Sequence, residues 1–300
     1  MKLKIKQEFS GRGFEIKFDE PLAKHTTFRT GGPAAAYLEA KSVENIADAL
    51  AISKTNSFPV FFIGAGSNVL FSDSGFDGIV IRLKDKFGGL EFIEQANNIL
   101  VKAGAGVTLP LLVKKCADSG ASGLEALAGV PGTVGGALVM NAGTRSGTIS
   151  DKLVKVTIVN STGALVDLKK EEVVFDYRHS SLEGQIILFA EFLLAKTPKE
   201  AIVKRITENM IKRSETQPLG TLNAGSIFKN PKNKQAGRII EDCGLKGFKI
   251  GGAQISQKHA NFIINTGNAK SSDILQIIDT IKTKVKEKFG IELETEIKIV

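Results

Sequence analysis

The residues from Ala128 to Gly143 read Ala-Gly-Val-Pro-Gly-Thr-Val-Gly-Gly-Ala-Leu-Val-Met-Asn-Ala-Gly, and five of these sixteen are glycine. So many glycines weaken a packed helix or strand, because each loses much backbone entropy and buries no side chain. They suit a place where backbone turns sharply and comes close to something bulky. A second loop, Gly64-Ala65-Gly66-Ser67-Asn68, directly follows the apolar run Pro59-Val60-Phe61-Phe62-Ile63. A buried strand emptying into small residues can turn its backbone N–H groups onto phosphate oxygens. Either loop alone could be no more than a bulge or a tight turn. Two in one chain suggest a large diphosphate cofactor. Neither fits the dinucleotide fingerprint of a Rossmann fold, since Val69 occupies the third glycine position of the first loop.

These loops need elements to hold them, and the chain alternates strand-like and helix-like segments without an internal repeat. Ser42 is placed to cap a helix with Val43, Ile46, Ala47, Leu50 and Ala51 at helical spacing. Thr108 opens another, from Leu109 to Ser119, with Gly120 as its stop. Strands are expected at Gly78–Leu83, Ile99–Ala103 and Leu153–Val159. A turn at Asn160–Gly163 then leads into Ala164–Leu168, and Ile186–Leu194 closes this region. A helix from Pro198 to Arg213 reads as a joint. Beyond it the spacing predicts a loop at Thr216–Gly220, a helix at Gln235–Cys243, a strand at Ala260–Asn265 and a long helix from Ser271 or Ser272. The apolar stripe of that helix is Ile274, Ile277, Ile278, Ile281, Val285 and Phe289, and Gly290 ends it. Residues Ile291–Val300 alternate strictly and predict a final strand. Glu292, Glu294, Glu296 and Lys298 would share its polar face. The fold class is α+β, with an N-terminal body of about two thirds of the chain and a C-terminal layer.

Three hundred residues can bury a sizeable core. Apolar content of 42% with 24% charged residues describes an ordinary globular protein. The two cysteines, Cys116 and Cys243, have no metal-like or redox-like spacing, and their scarcity fits a reducing compartment. The N-terminus alternates Lys2, Lys4 and Lys6 with apolar residues and has no secretory core. Ile186–Ala195 is too short to span a membrane and is interrupted by Glu191. A cytoplasmic protein without membrane insertion is expected. The net charge of +8 admits nucleic acid, small anionic substrates or mere solubility. Scattered lysines, no tryptophan and only two tyrosines argue against a nucleic-acid platform.

Six segments in order make a specific pattern: His25–Gly32 (His-Thr-Thr-Phe-Arg-Thr-Gly-Gly), Gly64–Asn68, Ala128–Gly143, Tyr177-Arg178, Ala224–Pro231 (Ala-Gly-Ser-Ile-Phe-Lys-Asn-Pro) and Leu293–Glu296 (Leu-Glu-Thr-Glu). Together they resemble the UDP-N-acetylenolpyruvoylglucosamine reductases, flavoenzymes of bacterial peptidoglycan precursor synthesis. The resemblance spans roughly residues 20 to 300. It implies a two-subdomain FAD-binding body of the vanillyl-alcohol-oxidase (PCMH) type and a C-terminal α+β substrate domain. Boundaries are expected at residues 1–75, 76–197 and 198–300, with the last strand returning to the flavin. It also implies NADPH as reductant, non-covalent FAD, a nucleotide-sugar substrate, no nucleic-acid partner and a monomer. The larger form of the family carries an inserted loop with a tyrosine lid. Here the only tyrosines are Tyr37 and Tyr177, so the chain resembles the compact form.

The implied reaction reduces an enolpyruvyl ether to a lactyl ether. It needs a proton donor, a cationic clamp for a carboxylate and a group that shapes developing charge. Carried over from the family, Ser226 is the donor, Arg178 the clamp and Glu296 the third catalytic group. Without the family, Ser226 would be a turn hydroxyl, Arg178 a structural ion-pair partner and Glu296 a solvated strand residue. Tyr177, Arg178, Gly225, Lys229 and Asn230 are expected to meet the substrate. Gly64, Ala65, Gly66, Ser67, Asn68, Val69, Gly129, Val130, Pro131, Gly132, Thr133, Gly135, Gly136, Asn141 and Gly143 are expected to meet FAD. The family usually has arginine where this chain has Lys298, which puts a bidentate contact there in doubt. His259 reads as structural or substrate-side, and no metal site is expected. Two readings compete: an alcohol oxidase or dehydrogenase of the same flavin fold, and a basic binding protein without activity.

Overall fold

Pro33–Ala40 is a run of small and apolar residues with only Glu39 charged, and five of its residues in succession are buried. Such a strand needs cover on both faces. The computed structural model, which describes residues 2–11, 15–160 and 163–300, supplies it. Strands are ordered Ile16–Pro21, Pro33–Ala40, Phe76–Leu83, Val60–Phe62, the first pair antiparallel and the others parallel. Helix Val43–Asn56 contributes Ile46, Ala49 and Ile52 to the core on one face, and the Ser42 hydroxyl accepts from Asn45 N–H at its start. The alternating N-terminus forms helix Lys2–Phe9, because Ile5 and Phe9, four apart, both reach that core. Phe76–Leu83 lies inside the sheet, which therefore continues past the expected boundary at residue 75.

A second, antiparallel sheet follows in the order Leu165–Lys169, Leu153–Val159, Ile186–Lys196, Asn98–Gly104, Leu90–Glu94. The turn before Leu165 is held by Gly163 N–H on Asn160 O, while Ser161 and Thr162 at its middle lie outside the described residues. Helices Leu109–Asp118 and Val134–Val139 bury their apolar faces on this sheet. Helix Lys199–Thr216, expected as a joint, packs against Leu109–Asp118 and the turn Glu125–Leu127. Arg205 on that helix holds the Glu125 carboxylate through Nε at 3.0 Å and a terminal nitrogen at 2.8 Å. The helix thus belongs with the body.

The C-terminal unit is a small meander, Lys249–Ile250, Ala253–Ile255 and Ile263–Asn265, covered by helices Ala236–Asp242 and Ser271–Phe289. Ile274, Ile277, Ile278, Ile281 and Val285 are buried as their spacing predicts, each contributing roughly 1.5–3 kcal/mol. Phe289 remains partly exposed, and Gly290 ends the helix at a φ of 65°.

The closing segment differs from the single strand expected. Only Lys298–Ile299 is strand, parallel to Val69–Leu70. Earlier, Glu296 N–H donates to Ile227 O and Thr295 bridges Phe228. The chain changes partners at Glu296–Ile297, so one alternation is broken into two pieces. Leu293 and Ile297 stay buried, but Ile299 turns outward.

Candidate active site

The two glycine loops face one another. Ser67 Oγ donates to Pro131 O at 3.2 Å, and a Cβ on Gly64 would overlap the Thr133 hydroxyl. Gly66 has a φ of 65°, and a Cβ there would collide with the His25 carbonyl, so only glycine lets this loop lie on Thr26–Thr27. The cleft between the loops is lined by Gly64, Arg82, Gly106, Thr133, Gly136 and Ile187, among others from both sheets. The N–H groups of Gly64, Ala65, Gly66, Ser67 and Asn68, and of Gly132 and Thr133, donate to no acceptor among the described residues. Backbone donors left open at a cleft await an anion.

Not every residue expected at the cofactor faces this cleft. Gly129 packs against helix Lys199–Thr216: a Cβ on it would stand 2.6 Å from Met210 Sδ. Val130 packs on the body core, and Val69 is buried in its strand. Asn141 is buried with both side-chain atoms engaged, Nδ2 on Asp176 O at 3.1 Å and Oδ1 accepting from Ser150 Oγ at 2.8 Å. Its task is to anchor the hairpin Phe175–Ser180. Gly143 offers its carbonyl to an Arg178 terminal nitrogen at 3.2 Å. Both residues position Arg178, which explains why short polar and glycine positions recur beyond the cleft itself.

Arg178 sits at the tip of that hairpin with a φ of 55°, unusual for a side-chain-bearing residue. Its Nε lies 2.8 Å from Glu296 Oε1. The N–H is not aimed along that line, so this is a short ion pair without a well-directed hydrogen bond. The guanidinium also stands over the Tyr177 ring at 5.4 Å. Tyr177 OH in turn accepts from Asn230 N–H at 3.2 Å. The Asn230 side chain accepts from Ala236 N–H at 3.0 Å and so holds the start of helix Ala236–Asp242.

The Ser226 segment runs antiparallel to the last residues. Ile227 O accepts from Glu296 N–H at 2.7 Å, and Lys229 N–H donates to Glu294 O at 2.9 Å. Ser226 is therefore the neighbour of the residue paired with Glu296, and its hydroxyl has no hydrogen-bond partner among the described residues. Gly225 at a φ of 76° makes the preceding turn, its N–H on Asn223 Oδ1. Burial pushes the Glu296 carboxyl above its ordinary range, with Arg178 and then Lys229 pulling against it. Lys229 Nζ reaches Glu294 Oε1 at 2.6 Å, and its charge also acts on Glu296. Lys298 does not join them: its Nζ lies 3.6 Å from Glu183 and 6.0 Å from the Phe61 ring. His259 accepts from Asn261 N–H at 3.2 Å and stacks edge-on to Phe262, a structural role. Asn68 ties the first loop to this cluster through Nδ2 on Glu296 O at 3.1 Å.

Two arginines were not found from sequence. Arg213 has a buried Nε without a partner, and burial followed by the charge of Arg178 holds its pKa down. Arg82 lines the cleft. Arginine has no periodic signature, and both lay inside expected elements, the strand Gly78–Leu83 and the helix Pro198–Arg213.

Residues 217–300 match a model described as UDP-N-acetylenolpyruvoylglucosamine reductase, C-terminal domain, and residues 34–169 match an FAD binding domain. The UDP-N-acetylenolpyruvoylglucosamine reductase of Lachnoclostridium phytofermentans is 39% identical over 287 residues, covering 95% of this chain and 93% of that protein. The chain belongs to the UDP-N-acetylenolpyruvoylglucosamine reductase family. A second reductase, from Synechococcus sp., is 42% identical over 93% of this chain and 91% of its own length. The crystal structure of the reductase from Thermus caldophilus superposes with a TM-score of 0.82 at 37% identity, covering 95% of this chain and 98% of that one. The expected α+β fold, a two-part FAD-binding body with a C-terminal layer, is the fold observed. The open N–H groups and the glycine-lined cleft fit FAD, whose diphosphate needs close backbone donors. Cys116 is buried, and burial pushes its thiol up to about 12, which makes it a poor nucleophile. Among the described residues no helix is long and apolar enough to cross a membrane, and Ile186–Lys196 is a sheet strand.

Proposed function

We infer that this chain is an NADPH-dependent flavoenzyme that reduces the enolpyruvyl group of UDP-N-acetylglucosamine enolpyruvate, giving UDP-N-acetylmuramate for peptidoglycan. The observation that carries the reading is the meeting of Arg178, Glu296 and the Ser226 segment beside the Gly64–Asn68 loop, within a chain of this family. When bound, FAD supplies the hydride that NADPH provides.

The chain's own residues supply charge and a proton. Arg178 holds the substrate carboxylate through its planar fork, fixed by Gly143 O and the Tyr177 ring. The same charge favours electron density moving onto that carboxylate. Ser226, whose hydroxyl has no partner among the described residues, delivers the proton to the carbon beside the carboxylate. Lys229, three residues on and acting electrostatically on Glu296, is the cation offered to stabilise the alkoxide left behind. Glu296, pushed toward its neutral form by burial, opposes developing negative charge less than an ordinary carboxylate would. Tyr177, Gly225 and Asn230 shape the substrate side. The scarcity of cysteine supports a cytoplasmic enzyme, and the absence of a tyrosine between Arg178 and Ser226 supports the compact form.

The purified protein should be yellow, and denaturation should release FAD into the supernatant. NADPH should bleach it anaerobically, and the enolpyruvyl nucleotide sugar should restore the colour. Colour that stays with denatured protein, or reoxidation by oxygen alone, would favour an oxidase of the same fold. A colourless protein with salt-sensitive nucleic-acid binding would favour the binding-protein reading.

A further inference from the structure

Arg82 ends a buried run, Ile79-Val80-Ile81, and projects from the first sheet where the two halves of the body meet. An arginine at such a place ordinarily has a carboxylate. This one takes part in no ion pair among the described residues. The nearby acids are engaged elsewhere. Glu20 holds His25 Nε2 at 3.0 Å and Lys24 at 3.7 Å. Glu39, its register partner across the sheet, faces Lys84 at 4.0 Å. Burial pushes the Tyr37 phenol up and the adjacent Arg82 pulls against it, but no well-formed hydrogen bond to the hydroxyl is present among the described residues. The half-buried guanidinium thus lines the cleft without an ion-pair partner among the described residues.

That cleft also carries Gly64, at the head of the loop whose N–H groups lack acceptors. Oxidised FAD is neutral at its ring and anionic only at its diphosphate. We propose that Arg82 is a cofactor-binding residue, the counter-ion of the FAD diphosphate held by the Gly64–Asn68 loop. This rests on the flavoenzyme reading. It assigns the first sheet a part in cofactor binding beyond its glycine loop. The leucine and isoleucines beside Arg82, Leu83, Ile186 and Ile187, give the adenine an apolar bed. The cofactor would supply the anionic partner that the protein does not give this guanidinium.

The test is Arg82→Met, which keeps the stem and removes the charge. Wild type and variant are stripped of cofactor and titrated with FAD and with riboflavin, which has the ring but no phosphate, following flavin fluorescence. FAD affinity should fall about 10- to 100-fold, the range for a lost hydrogen bond to a charged group. Riboflavin affinity should be unchanged. Denaturant midpoints of the cofactor-free proteins should be equal or higher for the variant. A variant that fails to fold, or that loses riboflavin and FAD alike, makes Arg82 a structural residue and overturns the proposal. Equal FAD affinity also overturns it. Wild-type protein that takes up no FAD would instead sink the functional reading.

Discussion

Arg178 Nε lies 2.8 Å from Glu296 Oε1, joining a hairpin tip of the body to the last residues of the chain. Neither group is in an ordinary state. Arg178 has left-handed backbone, and Glu296 is driven toward its neutral form by burial even with a cation against it. A pair built for stability would be aligned and fully charged. This one is misaligned, and Glu296 pairs through its backbone with Ile227, the residue after Ser226, an arrangement suited to exchanging partners when a carboxylate arrives.

Arg178→Lys should be damaging although charge is kept. A point charge on a flexible stem cannot grip two oxygens while also holding Gly143 O. Flavin reoxidation by the enolpyruvyl nucleotide sugar should lose about 10- to 100-fold in kcat/KM, while NADPH-driven reduction persists. If the denaturation midpoint falls and the kinetics survive, the residue is only an ion-pair partner.

Ser226→Ala should separate the half-reactions. Hydride transfer from NADPH needs no proton from this hydroxyl, so bleaching should proceed at the wild-type rate. Reoxidation should slow by at least ~100-fold, the range of a lost general acid. Because the hydroxyl has no partner among the described residues, stability should not change. Rapid reoxidation in the variant would remove Ser226 from the proton-donor role.

How far the sequence led depends on the kind of signal. The long helix from Ser271 and the glycine loops were legible, because helical spacing and clustered glycines follow from backbone physics. The alternation of Ile291–Val300 was misleading: it describes a strand with one pair of neighbours, whereas this segment changes from Ile227 to Asn68 as it passes Glu296. Arg178 and Glu296 were found only through family resemblance, since nothing local distinguishes a catalytic charge from a solvated one. The bonds of Asn141 to Asp176 O and Ser150 Oγ were not legible, because they join segments far apart in the chain. Arg82 was missed altogether, because an unpaired charge is visible only once its surroundings are known.

Asp73 provides a stability test across the chain. Its two carboxylate oxygens accept from Ser271 N–H at 2.7 Å and Ser272 N–H at 2.9 Å, capping the long helix of the C-terminal unit. Burial pushes this carboxyl up, but the bonds from Ser272 and Ser271 together outweigh it and hold it below its ordinary value. Asp73→Ala should cost about 1–2 kcal/mol by urea denaturation at neutral pH. For a depressed carboxyl the stabilisation is complete above the unfolded pKa, about 3.9, and is lost as pH falls through the folded value. The gap between wild type and variant should therefore narrow in acid. A constant gap across pH would mean that packing, not the cap, is responsible.

Glu294 and Glu296 make the sharpest comparison, because alternation treats them as equals and the fold does not. The Glu294 side chain is 72% exposed and pairs with Lys229, while that of Glu296 is 15% exposed against Arg178. Glu294→Ala should leave both half-reactions close to wild type. Glu296→Ala should slow reoxidation by orders of magnitude and spare reduction by NADPH. If the neutral carboxyl is the working form, Glu296→Gln should retain more activity than Glu296→Ala. Wild-type reoxidation should also fall as pH rises through the elevated pKa, and the Gln variant should not follow it. Stability gives an independent check on the sign. A carboxyl whose folded pKa is raised binds its proton more tightly when folded, so raising pH from the unfolded value, about 4.3, up to the folded value weakens wild type. Glu296→Gln has no proton to lose, and its stability relative to wild type should climb through that window. A relative stability that falls with pH would mean that Glu296 is ionised and serves Arg178 as a fixed counter-ion.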